Sequence, residues 1–89
     1  MTDTTELSAE ERRLAWDCRR GLKELDIFLG PFMEKHYRAL SPEDKQVFVR
    51  LVACEDMDLF NWFMQYAKPE DHALERMIEQ IRQLRPMDY

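Results

Sequence analysis

The side chains best suited to bind a metal or to move a proton in this chain are two histidines and two cysteines. Neither His36 nor His72 stands with a cysteine or a cluster of carboxylates at metal-ligand spacing. Cys18 and Cys54 lack both CxxC spacing and a neighbouring histidine. We therefore expect solvated or capping histidines and free thiols, with Cys18 acting as a small hydrophobe on an apolar helical stripe.

The other candidates for catalysis have simpler structural explanations. Ser8 and Ser41 each come directly before an acidic helix start, which is typical of helix caps and not of nucleophiles. The acidic run at residues 55–58 also indicates a helix start, and it lacks the alternating ligands of a calcium loop. No glycine-rich phosphate loop is present. The sequence thus predicts that the chain has no catalytic residue and no metal site, and that it is not an enzyme.

The most unusual local pattern is the charged stretch around Gly21, at residues 19–26. A glycine inside a helix costs roughly 0.5–1 kcal/mol relative to alanine, so its presence needs a reason. One interpretation is a solvated i,i+4 pair between Arg20 and Glu24, which contributes only a few tenths of a kcal/mol. The other is a docking surface, where the missing side chain lets a partner approach and the flanking charges fix its register. The residues alone leave both open.

The charge balance argues against nucleic acid as a general partner. The 89 residues include 13 basic and 18 acidic side chains, for a net charge of −5, whereas phosphate binding needs a basic face. The arginine pairs at 12–13 and 19–20 form only a local basic patch. No apolar run reaches membrane-spanning length, and the polar, acidic N-terminus does not look like a signal peptide. We expect a cytoplasmic bacterial protein without membrane insertion.

Helical spacing of apolar residues predicts an all-α fold, a single domain over residues 1–89 built as a bundle of five short helices. We expect residues 1–7 to be disordered and the core to cover residues 8–85. Ser8 and Glu11 form a capping box that begins helix one, which should end near Arg20. Helix two should cover about 22–40, with a kink or a division into two helices at Gly30-Pro31. Trp16, beside the apolar stripe of helix one, is either a residue at the edge of the core or an exposed contact, and we expect partial burial.

The second half of the chain shows clear helix starts. Ser41 followed by Pro42 begins helix three, which should run to about Cys54. Asp56 or Asp58 should cap helix four at about 57–67, and we expect this helix to be central because it is apolar nearly all round. The break at residues 68–71 precedes helix five, which should end near residues 85–86.

Several motifs lie at characteristic spacing along roughly residues 8–84. They are Trp16-x-Cys18-Arg19-Arg20-Gly21-x-x-Glu24-Leu25-Asp26, Pro31-Phe32, Leu40-Ser41, Phe48-x-Arg50-Leu51 and Asp58-Leu59-Phe60-Asn61-Trp62. In these motifs the chain resembles the SdhE family of succinate dehydrogenase assembly factors, small bacterial proteins related to the mitochondrial flavinylation factor. The match shows no departure from the family signature.

The resemblance implies a five-helix fold and a function as an assembly chaperone. That function is to help covalent attachment of FAD to the flavoprotein subunit of succinate dehydrogenase, and in some bacteria of fumarate reductase. The resemblance also places a partner-binding signature at Arg20, Gly21 and Glu24, with Arg19 and Asp26 as flanking positions. On this view the chain binds no FAD tightly and acts on its attachment to a partner.

Two alternatives of a different class stay open. Members of the family have also been described as antitoxins, so an antitoxin-like regulatory module with no role in flavinylation is one of them. The other is an enzyme or direct FAD carrier, which the missing nucleophile, metal site and phosphate loop make less favourable.

Overall fold

Five α-helices account for most of residues 8–84, the part of the chain that the computed structural model describes. They are α1 (Ala9–Asp17), α2 (Lys23–Lys35), α3 (Pro42–Val52), α4 (Asp56–Phe63) and α5 (His72–Leu84), with a 3₁₀ turn at Tyr37–Ala39. The described residues contain no strand, so the predicted all-α class with five helices is confirmed. The expectations for residues 1–7 and for the chain end at 85–89 lie outside the described residues.

The helix starts follow the capping chemistry of the sequence. The Ser8 hydroxyl accepts from the Glu11 backbone N–H at 3.0 Å, and the Glu11 carboxylate accepts from the Ser8 N–H at 3.0 Å. This reciprocal pair is the expected capping box, and it satisfies two donors that a helix N-terminus would otherwise leave free. Ser41 likewise accepts from the Asp44 N–H at 3.1 Å, with Pro42 at the first helical position.

Helix α2 passes through Gly30-Pro31 as one helix. Of the two outcomes expected there, a kink or a division into two helices, the division is wrong. The α-helical backbone ends five residues after Pro31, at His36, and the 3₁₀ turn follows. A proline inside a helix removes one hydrogen bond and crowds the preceding turn. Buried side chains on both sides of Pro31 hold the helix together against that cost: Leu25, Phe28, Leu29, Phe32 and Met33.

Helix α4 is not the centre of the core, contrary to expectation. It spans only Asp56–Phe63, its N-cap is Glu55, and its fully buried residues are Leu59 and Phe63. Two helical turns present one i,i+4 stripe to the interior, so the other apolar side chains are left half-buried or exposed. The left-handed backbone of Gln65, with φ of 67°, lies just past its end.

The core lies between α2, α3 and α5, with α4 packed against α2 and α5. Phe63 stacks on Phe28 with ring centroids 4.6 Å apart and planes 8° from parallel. Phe48 packs at tilted angles against Phe32 and Tyr37, with centroids 5.3 and 5.6 Å away. Helix α1 packs on α2 and α3, which brings the α1–α2 linker beside the junction of α3 and α4. No helix within residues 8–84 combines the length and apolar character needed to cross a membrane.

Candidate partner-binding surface

The α1–α2 linker presents Gly21 to solvent. Helix α1 ends at Asp17 with Cys18 as its C-cap, three residues earlier than the sequence suggests, so Gly21 lies between helices and not inside one. Its φ is not positive, and a Cβ added there would meet nothing within 4 Å. Neither backbone conformation nor internal packing requires a glycine at this position. The space that a side chain would fill is open.

Arg20, next to Gly21, points inward and not into solvent as expected. One guanidinium nitrogen donates to the Val52 carbonyl at the end of α3, and another lies 3.3 Å from a carboxylate oxygen of Asp56 at the start of α4. The Arg20 side chain is only 18% exposed. Its backbone N–H donates to the Asp26 carboxylate at 2.9 Å, so the linker is fastened from both sides.

The pair that the sequence suggested between Arg20 and Glu24 is not among the ion pairs of residues 8–84. The i,i+4 geometry exists only within a continuous helix, and the extended backbone of Leu22 interrupts it. Glu24, in the first turn of α2, is exposed. Its carboxylate is therefore available to a partner, and the side chain of Arg20 is engaged elsewhere.

Trp16 is 68% exposed, so the expectation of partial burial is wrong. The inward stripe of this helix end is Leu14 and Cys18, at i,i+4 spacing, and Trp16 falls between them on the outer side. The Arg19 guanidinium lies 5.3 Å from the centre of the indole ring, in a cation–π contact. Site prediction from the sequence missed Trp16, although its position off the apolar stripe was a usable signal.

Five exposed residues thus surround the linker, and we call them the Gly21 surface: Trp16, Arg19, Gly21, Glu24 and Asp26. The structure brings together all of the site residues expected from the sequence, with Arg20 beneath the others. The surface offers an aromatic plane, a cation, two carboxylates and a gap where backbone is accessible. Such an arrangement suits binding to another protein, because aromatic residues and arginine dominate the energy of protein interfaces.

A groove between α1 and α2 begins at the edge of the Gly21 surface. It has a volume of about 740 Å³, and its lining residues are Glu11, Ala15, Cys18, Arg19, Asp26, Gly30, Met33, Glu34, Tyr37 and Arg38. Three carboxylates and two guanidinium groups lie along it, and Arg38 pairs with Glu11 at 3.1 Å. Residues 8–84 contain no group of three side chains placed to hold a metal ion.

Both cysteines are free thiols of low reactivity. Cys18 is 2% exposed, and burial raises the pKa of its thiol to about 12. Cys54 is half-buried, donates weakly to the Arg50 carbonyl at 3.5 Å and also has a raised pKa because of burial. Since the thiolate is the reactive form, neither residue is suited to act as a nucleophile near neutral pH.

We therefore expect iodoacetamide at pH 8 to modify Cys54 slowly and Cys18 only after unfolding. Mass spectrometry of tryptic peptides, with and without guanidinium chloride, measures both rates. A Cys54→Ser variant provides the control, because its native form should then take up almost no reagent. Rapid labelling of native Cys18 would show that α1 opens readily, contrary to the packing described above.

Comparison with known proteins identifies the family of this chain. A family model described as Sdh5, flavinator of succinate dehydrogenase, matches residues 12–85, well over half of the chain. A protein of Photorhabdus laumondii named FAD assembly factor SdhE is 53% identical over 70 residues, covering 79% of this chain and 80% of its own.

Two further relatives carry the same name, FAD assembly factor SdhE. The protein of Pseudomonas aeruginosa is 48% identical over 81 residues, covering 91% of this chain and 92% of its own. That of Yersinia pseudotuberculosis is 49% identical over 70 residues, covering 79% of this chain and 80% of its own. The segment matched by the family model, residues 12–85, includes the α1–α2 linker and the whole Gly21 surface. The resemblance seen in the motifs is confirmed: the chain belongs to the family of succinate dehydrogenase flavinators, the FAD assembly factors.

Proposed function

We propose that this chain promotes covalent attachment of FAD to the flavoprotein subunit of succinate dehydrogenase by binding that subunit through the Gly21 surface. We propose that the chain promotes FAD attachment to the flavoprotein subunit of fumarate reductase in the same way. The observation that carries this proposal is the open space above Gly21. A glycine that its own fold does not require lies in the segment that matches a flavinator family.

The proposed mechanism is binding and not chemistry by this chain. Among residues 8–84 the serines cap helices and the thiols have raised pKa values, so the catalytic groups come from the flavoprotein. Holding the flavin and its acceptor side chain in the reactive geometry can by itself lower the barrier by several kcal/mol, on the order of 7–11 in favourable cases. The chain would achieve this by binding one conformer of the flavoprotein more tightly than the others.

The residues of the Gly21 surface divide this task. Trp16 and Arg19 supply an anchor with a large contact area, of the kind that carries most binding energy at interfaces. Glu24 and Asp26 supply charges that steer the encounter and exclude wrong registers. Gly21 lets the backbone of the partner come close. On this proposal the chain acts in the cytoplasm and holds no tightly bound FAD of its own.

The alternative is an antitoxin-like regulatory module that uses the same exposed surface on another protein. A partner-binding surface is compatible with both functions, so only the client distinguishes them. The family match favours the flavoprotein, because the matched description and the names of the relatives both specify flavin assembly.

Reconstitution with purified components tests the proposal. The apo-flavoprotein subunit is incubated with FAD, with or without this chain, and covalent flavin is measured as fluorescence in a denaturing gel. We expect the chain to accelerate flavinylation and the Trp16→Ala variant to lose roughly tenfold or more of that effect, as for an interface hot spot.

Tyr66→Ala is the matched control, because Tyr66 is an equally exposed aromatic residue outside the Gly21 surface, at 74% exposure. It should accelerate flavinylation like the unchanged chain. Equal flavinylation with and without the chain would contradict the proposal. Saturable binding of free FAD by the chain alone would favour an FAD carrier instead.

A further inference from the structure

Among Arg20, Gly21 and Glu24, it is Arg20 whose side chain reaches into the fold. Its guanidinium lies between the last turn of α3, where it donates to the Val52 carbonyl, and Asp56 in the first turn of α4. The last carbonyls of a helix lack donors from the helix itself, and a cation at this end is also favoured by the helix dipole. Arg20 thus connects the α1–α2 linker to the α3–α4 junction, across 32 positions of sequence.

This contact is not arranged for maximum stability. The Arg20 Nε is buried without a hydrogen-bond partner among the described residues, and the Asp56 Oδ1 meets the Arg20 guanidinium only as an ion pair at 3.3 Å, without the geometry of a hydrogen bond. The Asp56 side chain is 41% exposed, and partly exposed ion pairs contribute little net stability, because solvent screens the attraction and ordering the side chains costs entropy. The pair is therefore better explained by the conformation that it holds than by the stability that it adds. That conformation is the backbone of residues 19–22, which exposes Gly21.

We propose that Arg20 and Asp56 are positioning residues: they hold the linker so that Gly21 faces the partner, and the Arg20 side chain does not itself contact the flavoprotein. Asp56 therefore contributes to partner binding indirectly, although it lies outside the Gly21 surface and in a different part of the sequence. The Arg20 backbone N–H, bonded to Asp26, completes the support from the α2 side. This inference rests on the proposed function for its binding readout but not for its structural one.

The test uses Asp56→Asn, which keeps the size of the side chain and removes its charge. The first readout is the NMR order parameter of the Gly21 amide in the free protein, which we expect to fall. The second is the affinity for the flavoprotein subunit by titration calorimetry, which we expect to weaken by about tenfold, a modest coupling energy. Asp56→Glu, which keeps the carboxylate, should recover part of both.

Glu43→Gln is the matched control, because it removes one carboxylate from the first turn of α3 without touching Arg20. It should leave the Gly21 order parameter and the affinity unchanged. The double variant Arg20→Ala with Asp56→Asn should bind no more weakly than Arg20→Ala alone, since both changes remove the same support.

The outcomes separate the inference from the proposed function. Unchanged Gly21 dynamics in Asp56→Asn would overturn the inference whatever the partner is. So would full affinity in Asp56→Asn combined with lost affinity in Arg20→Ala, which would mean that Arg20 contacts the partner directly. No binding of the flavoprotein by the unchanged chain would overturn the proposed function, while the order parameters would still decide the role of Asp56.

Discussion

The Gly21→Arg variant is expected to fold like the unchanged chain and to lose its effect on flavinylation. A side chain at this position would extend into open space, so it disturbs no internal packing. In the proposed complex, the same side chain would occupy the volume that the partner needs. Obstructing the centre of an interface costs as much as a hot spot, on the order of 3 kcal/mol or more, which is at least about a hundredfold in affinity.

Circular dichroism measures the folding of the variant, and titration calorimetry measures its affinity for the flavoprotein subunit, on the same samples. The melting temperature should shift by no more than a few degrees, as for a surface substitution of roughly 0.5 kcal/mol. Gln46→Arg, which adds the same side chain at an exposed position of α3, should keep full affinity. An unfolded Gly21→Arg variant would show instead that the glycine is structural, and the docking proposal would lose its main support.

The Phe63→Ala variant is expected to lose most of the stability of the protein. Phe63 is 1% exposed and stacks on Phe28, so its removal leaves a cavity between α4 and α2. Truncating a buried phenylalanine to alanine costs about 3–5 kcal/mol, a large fraction of the roughly 5–13 kcal/mol expected for a domain of this size. The melting temperature should fall by roughly 15–30 °C.

Guanidinium chloride unfolding followed by circular dichroism measures this loss as a lower midpoint at an unchanged slope. Phe60→Ala is the control on the same helix. Phe60 is only partly buried, so its truncation should cost less than about half as much. Similar losses for the two variants would indicate that α4 packs loosely on α2, contrary to the stacked geometry of the rings.

Local chemistry allowed much of this fold to be predicted from sequence. The caps at Ser8 and Ser41 depend on residues three positions away, so they can be recognised without knowing the tertiary structure. The helix count followed from periodicity for the same reason. The extent of α2 could not be predicted this way, because burial on both sides of Pro31 decides whether the helix continues, and burial depends on the whole fold.

The sequence allowed the residues of the Gly21 surface to be placed near one another, but not their contacts to be predicted. The exposed Gly21, Glu24, Arg19 and Asp26 come from one short segment, so the sequence could place them together. The contact of Arg20 with Asp56 joins distant segments, and only the packing of α1 on α3 brings them close. The exposure of Trp16 follows from its place on the outer side of α1, between the buried Leu14 and Cys18, and the apolar stripe of that helix was enough to predict it.

The open space above Gly21 also has a consequence for how defects in this protein would present in a cell. Damage to the core raises the unfolded fraction, and proteases then reduce the amount of protein. A side chain added at Gly21 leaves the folded fraction as it was, so the altered chain should persist at normal abundance. Quantitative immunoblotting would then separate the two kinds of loss before any assay of activity. A strain with ample protein and no covalent flavin would point to the linker.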